Sequence, residues 1–162
     1  MNILIPNLYI PNKNTKTAMI VGFGFTKLSA EKLQSVKGKI DINNNVSIKS
    51  VEEADLSLGK EKKNVAKFKF ESVSRYEPAM GSIMFEGEIL YHEDPKKVKE
   101  IIADWKKDKK LPKELMALML NTILSKCNIQ ALILSQEVNL PSPIPLPKVQ
   151  VNADQKDKNY IG

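Results

Sequence analysis

Histidine and cysteine, the side chains most readily used for acid–base and nucleophilic chemistry near neutral pH, are scarce in this sequence. Among its 162 residues there is one histidine, His92, and one cysteine, Cys127. A histidine-rich metal site is therefore excluded, and acid catalysis by histidine would rest on one residue at the end of a predicted strand. Cys127 falls within an apolar helical pattern, where a cysteine is ordinarily a small, unreactive core residue. Neither residue predicts a catalytic site.

Two further patterns resemble those of enzymes but lack essential parts. Glu86 and Glu88 share one face of a predicted strand, where two carboxylates could cooperate, although alternating charges on the solvated side of a sheet are far more common. Segment 22–27 has a lysine where a dinucleotide-binding fingerprint needs its third glycine, and no strand–helix–strand unit follows. We therefore expect no cofactor, no metal and no enzymatic activity.

The charge of the chain leaves a second class of function open. It carries 25 basic and 19 acidic residues, a net charge of +6, and Arg75 is its single arginine. Specific nucleic-acid sites usually use the forked contacts of arginine, so a lysine-coated soluble surface is the favoured interpretation. The alternative is a basic scaffold that binds nucleic acid or another anionic assembly through Lys60, Lys62, Lys63 and the lysines of 106–110.

Alternating hydrophobicity predicts a mainly antiparallel sheet. In 65–76, Phe68 and Phe70 alternate with charged residues, which indicates one dry face and one wet face. Gly22 and Gly24 share one face of the first strand and predict a close neighbour there. The last three strands form a meander, because successive hairpins are the simplest connection. The predicted elements of this part are strands at 18–28, 39–42, 46–58, 65–76 and 82–92, a helical turn at 30–34 and a polar turn at 43–45.

Two helices follow the sheet. The first begins with Asp94 as N-cap and Pro95 at the first helical position, and apolar residues then repeat at helical spacing up to a lysine-rich end at 106–110. The second runs from about residue 112 to about residue 138, where Leu140-Pro141 stops it. At 1.5 Å per residue it is on the order of 40 Å long, which exceeds what a small domain needs to cover its sheet.

The second helix is apolar around most of its circumference. One stripe is expected to pack on the sheet and consists of Met116, Met119, Leu120, Ile123, Cys127, Ala131, Leu134 and Val138. A second stripe lies beside it and consists of Leu115, Leu118, Ile129, Leu132 and Ile133. In so short a chain the cover of the second stripe comes most simply from another subunit, so we predict a homodimer or homotetramer. The alternative is a central helix covered by the chain's own arms.

The sequence predicts one domain with two flanking segments. Residues 1–17 are expected to form an extended arm, residues 18–151 a single α+β domain, and residues 152–162 a disordered tail. Alternating prolines in 141–147 favour an extended strap. We find no signal peptide, no uninterrupted apolar run of about 18 residues and no second cysteine for an intrachain disulfide. A cytoplasmic location without membrane insertion is therefore expected.

The order of these elements resembles that of the SecB-type export chaperones, over roughly residues 45–152. The likeness rests on a meander whose hairpin carries Tyr76-Glu77-Pro78, a long amphipathic helix, and the segment Leu140-Pro141-Ser142-Pro143-Ile144-Pro145-Leu146-Pro147-Lys148-Val149. In that family a four-stranded antiparallel sheet is backed by a long helix, the chains assemble as a dimer of dimers, and unfolded polypeptide is held in grooves between sheet and helix.

The resemblance implies a SecB-like α+β fold and a chaperone-like module in protein transport, which binds unfolded or extended polypeptide in apolar grooves. Open sheet edges could also take up extended peptides by strand addition. The family's acidic docking surface for an export motor is not matched in this basic chain, so a motor partner is not implied. The candidate residues for the groove or the subunit interface are Phe68, Phe70, Tyr76, Phe85, Tyr91, Met116, Met119, Ile123, Leu132 and Leu134.

Overall fold

A computed structural model describes residues 18–148 of the chain. Four strands are followed by two helices: β1 Met19–Lys32, β2 Asp41–Leu58, β3 Glu61–Glu77, β4 Gly81–His92, α1 Pro95–Asp108 and α2 Lys113–Glu137. The predicted α+β fold, an antiparallel sheet with a long C-terminal helix, is confirmed. The predicted arm at 1–17, the disordered tail at 152–162 and the last residues of the predicted domain, 149–151, lie outside the described residues.

The four strands form one sheet in the order β1-β4-β3-β2, with every neighbouring pair antiparallel. The predicted meander of β2, β3 and β4 is confirmed. The first strand joins beside β4, so the connection 33–40 crosses one end of the sheet, where the Leu33 amide donates to the Met80 carbonyl at 2.9 Å. This topology leaves β1 and β2 as the two edge strands.

Two local predictions between residues 30 and 45 are wrong. No helical turn forms at 30–34, because Ala30, Glu31 and Lys32 continue β1 and pair with residues 81–83 of β4. No turn forms at 43–45 either, because the three asparagines pair with residues 73–75 of β3, so that the predicted strand at 39–42 is the start of one long β2. In both places pairing across the sheet overrides a local preference for turns.

The two faces of the sheet differ as the alternation predicts. The face toward the helices, called the helix side, carries the largest buried side chains of β3 and β4, namely Phe68, Phe70, Tyr76, Ile83, Phe85, Ile89 and Tyr91. The opposite face, called the polar side, carries charged residues from all four strands. Burial of one face alone is typical of an antiparallel sheet with helices on one side.

Helix α1 is amphipathic and begins at a strong cap. The Asp94 carboxylate accepts a hydrogen bond from the Lys96 amide at 3.0 Å, and Pro95 occupies the first turn. Both features stabilise a helix start, since the first amides have no partner within the helix. The helix packs on β2 and β3 through four buried residues, Val98, Ile101, Ile102 and Trp105.

Helix α2 contacts all four strands through one buried line of residues spaced by four. The line consists of Leu115, Met119, Ile123, Cys127, Ala131 and Ser135. The stripe predicted to face the sheet is thus correct for Met119, Ile123, Cys127 and Ala131. Leu115, predicted for the second stripe, is buried in the structure, whereas Met116, Leu120, Leu134 and Val138 lie beside the line and are half-buried.

The end of α2 is a Schellman motif. Asn139 adopts a left-handed conformation with φ of 53°. The Leu140 amide donates to the Ser135 carbonyl at 2.8 Å, and the Asn139 amide donates to the Gln136 carbonyl at 3.2 Å. Leu140 is buried, so the chain turns back toward the sheet at this point. The predicted end of the helix near residue 138 is confirmed.

Candidate polypeptide-binding surface

A row of four phenylalanines crosses the helix side of the sheet from β3 to the edge strand β1. Phe23 stacks on Phe70 with ring centroids 5.4 Å apart and meets Phe25 edge-on at 5.1 Å. Phe25 in turn lies 5.7 Å from Phe85. These separations are typical of favourable aromatic pairs. The row therefore links the sheet's centre to its edge by continuous apolar surface.

Gly87 of β4 makes this arrangement possible. It lies between Phe70 of β3 and Phe25 of β1 in the sheet register. A Cβ atom at this position would lie 2.5 Å from the Phe70 ring and 2.5 Å from the Gly24 carbonyl oxygen. Only glycine therefore allows the Phe70 ring to lie across β4 toward the edge strand. Of the two glycines predicted to have a close neighbour, Gly22 contacts Leu90, while a Cβ at Gly24 would meet nothing within 4 Å.

The row becomes more exposed toward the edge. Phe70 and Phe85 are buried, Phe23 and Phe25 are half-buried, and Leu28, further along the same face of β1, is 49% exposed. Within residues 18–148, no strand pairs with the outer edge of β1. We call this surface, formed by Phe23, Phe25 and Leu28, the β1 shelf. It combines free backbone hydrogen-bonding groups with an apolar floor.

Sequence reasoning did not select the β1 shelf. The alternation of phenylalanine and glycine identified a strand, but the exposure of one face depends on β1 lying at an edge beside β4. Edge position follows from the order of the strands in space, which no local pattern in 18–32 indicates.

The ten candidate groove or interface residues are divided between core and surface. Seven of them are buried within the single chain: Phe68, Phe70, Tyr76, Phe85, Tyr91, Met119 and Ile123. Three are half-buried: Met116, Leu132 and Leu134. Phe70 and Phe85 form the floor behind the β1 shelf, and Tyr91 donates a hydrogen bond to the Glu93 carboxylate at 2.8 Å. Their part in polypeptide binding or subunit contact stays a prediction.

Helix α2 carries a second exposed apolar surface. Leu124, Ile129 and Ile133 are 40%, 58% and 48% exposed. Leu132 is half-buried and lies outside the hydrophobic core. Only 22% of the helix's most apolar 18-residue window is buried, and among the described residues α2 is the one helix whose length and composition would allow it to cross a membrane. We call the surface of Ile129, Leu132 and Ile133 the outer face of α2.

The polar side of the sheet is a ladder of opposite charges across strands. Glu86 pairs with Lys27 at 3.9 Å, and Glu88 pairs with Lys67 at 3.6 Å. Lys49 and Glu71, 3.0 Å apart, help to line a shallow depression of about 280 Å³. The two glutamates considered as an acid–base pair thus each have a lysine counterion, which is the arrangement of a solvated sheet face.

The chemistry-bearing residues lie apart from the β1 shelf. Cys127 is buried beneath α2, where burial raises the pKa of its thiol to about 11, so the thiol is protonated at neutral pH. His92 is on the polar side at the end of β4, and its Nδ1 is buried without a hydrogen bond. In the basic segment 106–110, Lys109 lies over the Trp105 ring at 5.5 Å and Lys110 pairs with Asp108 at 3.7 Å.

Comparisons with known proteins give a distant structural likeness. No family model matches the sequence, and no curated protein matches it. Among solved structures, the chain is similar to a SecB-like chaperone of Mycobacterium tuberculosis in complex with a ChAD peptide from the HigA1 antitoxin. The similarity covers 83% of this chain and 92% of that chain, with 13% sequence identity and a TM-score of 0.46.

Proposed function

We propose that this protein is a chaperone-like module that binds unfolded or extended polypeptide along the β1 shelf. The observation that carries the proposal is the row of phenylalanines that runs from the core to β1, where Phe23 and Phe25 are half-buried. The outer edge of β1 has no strand partner within residues 18–148. An extended segment beside β1 would hydrogen-bond to its free edge and place alternate side chains on the shelf. The role in protein transport and the cytoplasmic location expected from the sequence belong to this proposal.

The proposal includes self-association through the outer face of α2. Exposed leucine and isoleucine side chains on a helix that is apolar on several sides favour an interface, since burial of each stabilises by about 1.5–3 kcal/mol. A second copy is the simplest cover because it supplies the same apolar surface at the same concentration. If the protein were a single chain in solution and bound to lipid vesicles when these were added, α2 would instead contact membrane.

The test of client binding is suppression of aggregation of a chemically denatured model protein, followed by light scattering. We expect the unaltered chain to suppress aggregation at near-stoichiometric ratios and to do so in about 1 M salt, because apolar contacts are not screened. Leu28→Ser is expected to raise the amount of chaperone required several-fold. Leu33→Ser is the matched control, because Leu33 is also exposed but lies beyond the end of β1.

Two outcomes would contradict the proposal. One is equal loss of suppression in the Leu28 and Leu33 variants, both folded by circular dichroism, which would mean that the shelf has no special part. The other is no suppression by the unaltered chain together with salt-sensitive binding to DNA or RNA. That result would favour the basic scaffold, whose contacts with phosphate weaken steeply with salt.

A further inference from the structure

Residues 139–148, which we call the strap, leave the end of α2 and are held by three side chains that all contact its backbone carbonyls. Lys32 Nζ donates to the Asn139 carbonyl at 3.0 Å, Tyr76 Oη to the Pro141 carbonyl at 2.7 Å, and Asn44 Nδ2 to the Pro143 carbonyl at 2.8 Å. The accepting residues are spaced by two. The strap is therefore held at alternate carbonyls between the left-handed turn at Asn139 and the bend at 143–144.

The three donors come from three different strands, and Asn44 and Tyr76 are fixed by their surroundings. We call Lys32 of β1, Asn44 of β2 and Tyr76 of β3 the cradle. Ser74 Oγ donates to Asn44 Oδ1 at 2.6 Å, which orients the amide so that its NH₂ group faces the strap. Tyr76 is buried, and burial raises the pKa of its hydroxyl to about 12, so the hydroxyl is a hydrogen-bond donor at neutral pH. The cradle is therefore a set of donors already in position.

The strap contributes main-chain acceptors to these contacts. Its prolines at 141, 143, 145 and 147 have no amide hydrogen and favour an extended conformation. Its one serine, Ser142, donates to its neighbour Ile144 at 2.7 Å instead of to the cradle. The cradle thus recognises the backbone of a proline-alternating segment, and the contacts it makes do not depend on the polar side chains of that segment.

The strap is held at few points. Within it, Leu140 and Pro143 are buried. Pro141, Pro145, Leu146, Pro147 and Lys148 are exposed. Beyond the two backbone hydrogen bonds that end α2, the strap has two buried side chains and three hydrogen bonds to the cradle, so it opens far more often than the sheet to which it is bound. Exchange with a second segment of the same chemistry is therefore accessible without unfolding of the domain.

We propose that the cradle is a binding site for proline-alternating polypeptide, that the strap occupies it as an internal ligand, and that an external segment of this chemistry replaces the strap. The cradle lies at one end of the sheet, and most of the β1 shelf lies toward the other end. The cradle binds through hydrogen-bond donors, whereas the shelf binds through aromatic rings. The proposal therefore goes beyond the proposed function, and each can fail without the other.

The test uses a fluorescent synthetic peptide that copies residues 139–148 and the full-length chain. Pro143→Asp places a carboxylate where Pro143 is buried, which disfavours docking of the strap and leaves the cradle intact. We expect the peptide to bind this variant at least about tenfold more tightly than the unaltered chain, because the internal competitor is released. Addition of Asn44→Ala is expected to weaken binding about fivefold, the effect of one hydrogen bond. Pro147→Asp, at an exposed strap position, is the matched control and should show no gain.

Nuclear magnetic resonance of the unaltered chain provides a second measurement that does not depend on folding of the variant. Excess peptide should shift the Asn44 side-chain amide signal. It should also shift the backbone amide signals of Ser142 and Ile144, because the strap leaves the cradle. Two results would overturn the proposal: a folded Pro143→Asp chain that binds the peptide no better than the unaltered chain, or peptide-induced shifts confined to β1 around Phe23 and Phe25. The latter would assign the peptide to the β1 shelf.

Discussion

The two helices pack on the same side of the sheet and differ in how completely that packing covers them. Helix α1 has 14 residues, and its four buried residues cover its apolar face. Helix α2 has 25 residues and one buried line, with isoleucines and leucines exposed outside it. The pattern of α1 is therefore explained by the single chain. The single chain explains only the buried line of α2, and we assign its exposed apolar residues to self-association.

The starts of the two helices also differ. Helix α1 has a side-chain cap at its start, whereas α2 begins at Pro112 without one. Local interactions thus contribute more to the start of α1, and packing on the sheet contributes more to α2.

The largest effect is expected on the buried line of α2. Ile123→Ala removes a fully buried side chain beneath the helix and should lower the free energy of unfolding by about 2–5 kcal/mol. Ile129→Ala, on the outer face, should change it by no more than about 0.5 kcal/mol because that side chain is 58% exposed. Urea denaturation of both variants at low protein concentration measures the difference. Equal losses would mean that the outer face is core in the single chain.

Alkaline pH tests the same buried line through Cys127. Burial raises the pKa of its thiol from 9.0 to about 11, so the folded state holds a proton that the unfolded state loses. The stabilisation is complete below pH 9 and is lost as the pH rises to about 11, by at most about 3 kcal/mol.

Cys127→Ala is the comparison for this prediction, because alanine fits the site and does not titrate. Its free energy of unfolding should fall less between pH 9 and pH 11 than that of the unaltered chain. The variant's free energy of unfolding should still decrease over this range, partly because burial raises the pKa of Tyr76 to about 12. Identical pH profiles for the two chains would argue against a protonated thiol beneath α2.

The outer face is tested by Leu132→Glu. A carboxylate there should weaken self-association by about 2 kcal/mol, roughly 30-fold, because its charge would be buried between subunits. Light scattering should then give the mass of a single chain, while circular dichroism still shows a folded protein. Gln34→Glu adds the same charge at an exposed position outside α2 and should leave the mass unchanged. Unfolding of the Leu132 variant would place that residue in the core.

The sequence was sufficient to predict the elements with strong periodicity. Both helices and strands β3 and β4 were correct within a few residues, since burial of one face imposes a period that local interactions do not oppose. The prediction for residues 30–45 is wrong, because three consecutive asparagines favour a turn in isolation. Their pairing with residues 73–75 depends on β3, which is remote in sequence, so no local pattern contains it.

The candidate sites were less predictable than the fold. The sequence predicts aromatic residues of β3 and β4 as groove residues, and the structure buries them, because β3 and β4 are central strands. Phe23 and Phe25 are more exposed because β1 is an edge strand. The sequence did predict an extended strap, but its three donors lie between 65 and 107 residues away from it in the chain, and only folding brings them together.

The smallest effect is expected at the start of α1. Asp94→Ala removes the carboxylate that accepts from the Lys96 amide and should lower the free energy of unfolding by about 1 kcal/mol. Asp94→Asn is the control, since the side-chain oxygen of asparagine also caps a helix. It should lower the free energy of unfolding by no more than a few tenths of the loss in Asp94→Ala. Pro112→Ala at the corresponding position of α2 removes no side-chain cap. If its loss equals that of Asp94→Ala, local capping does not distinguish the two helices, and their difference lies in packing alone.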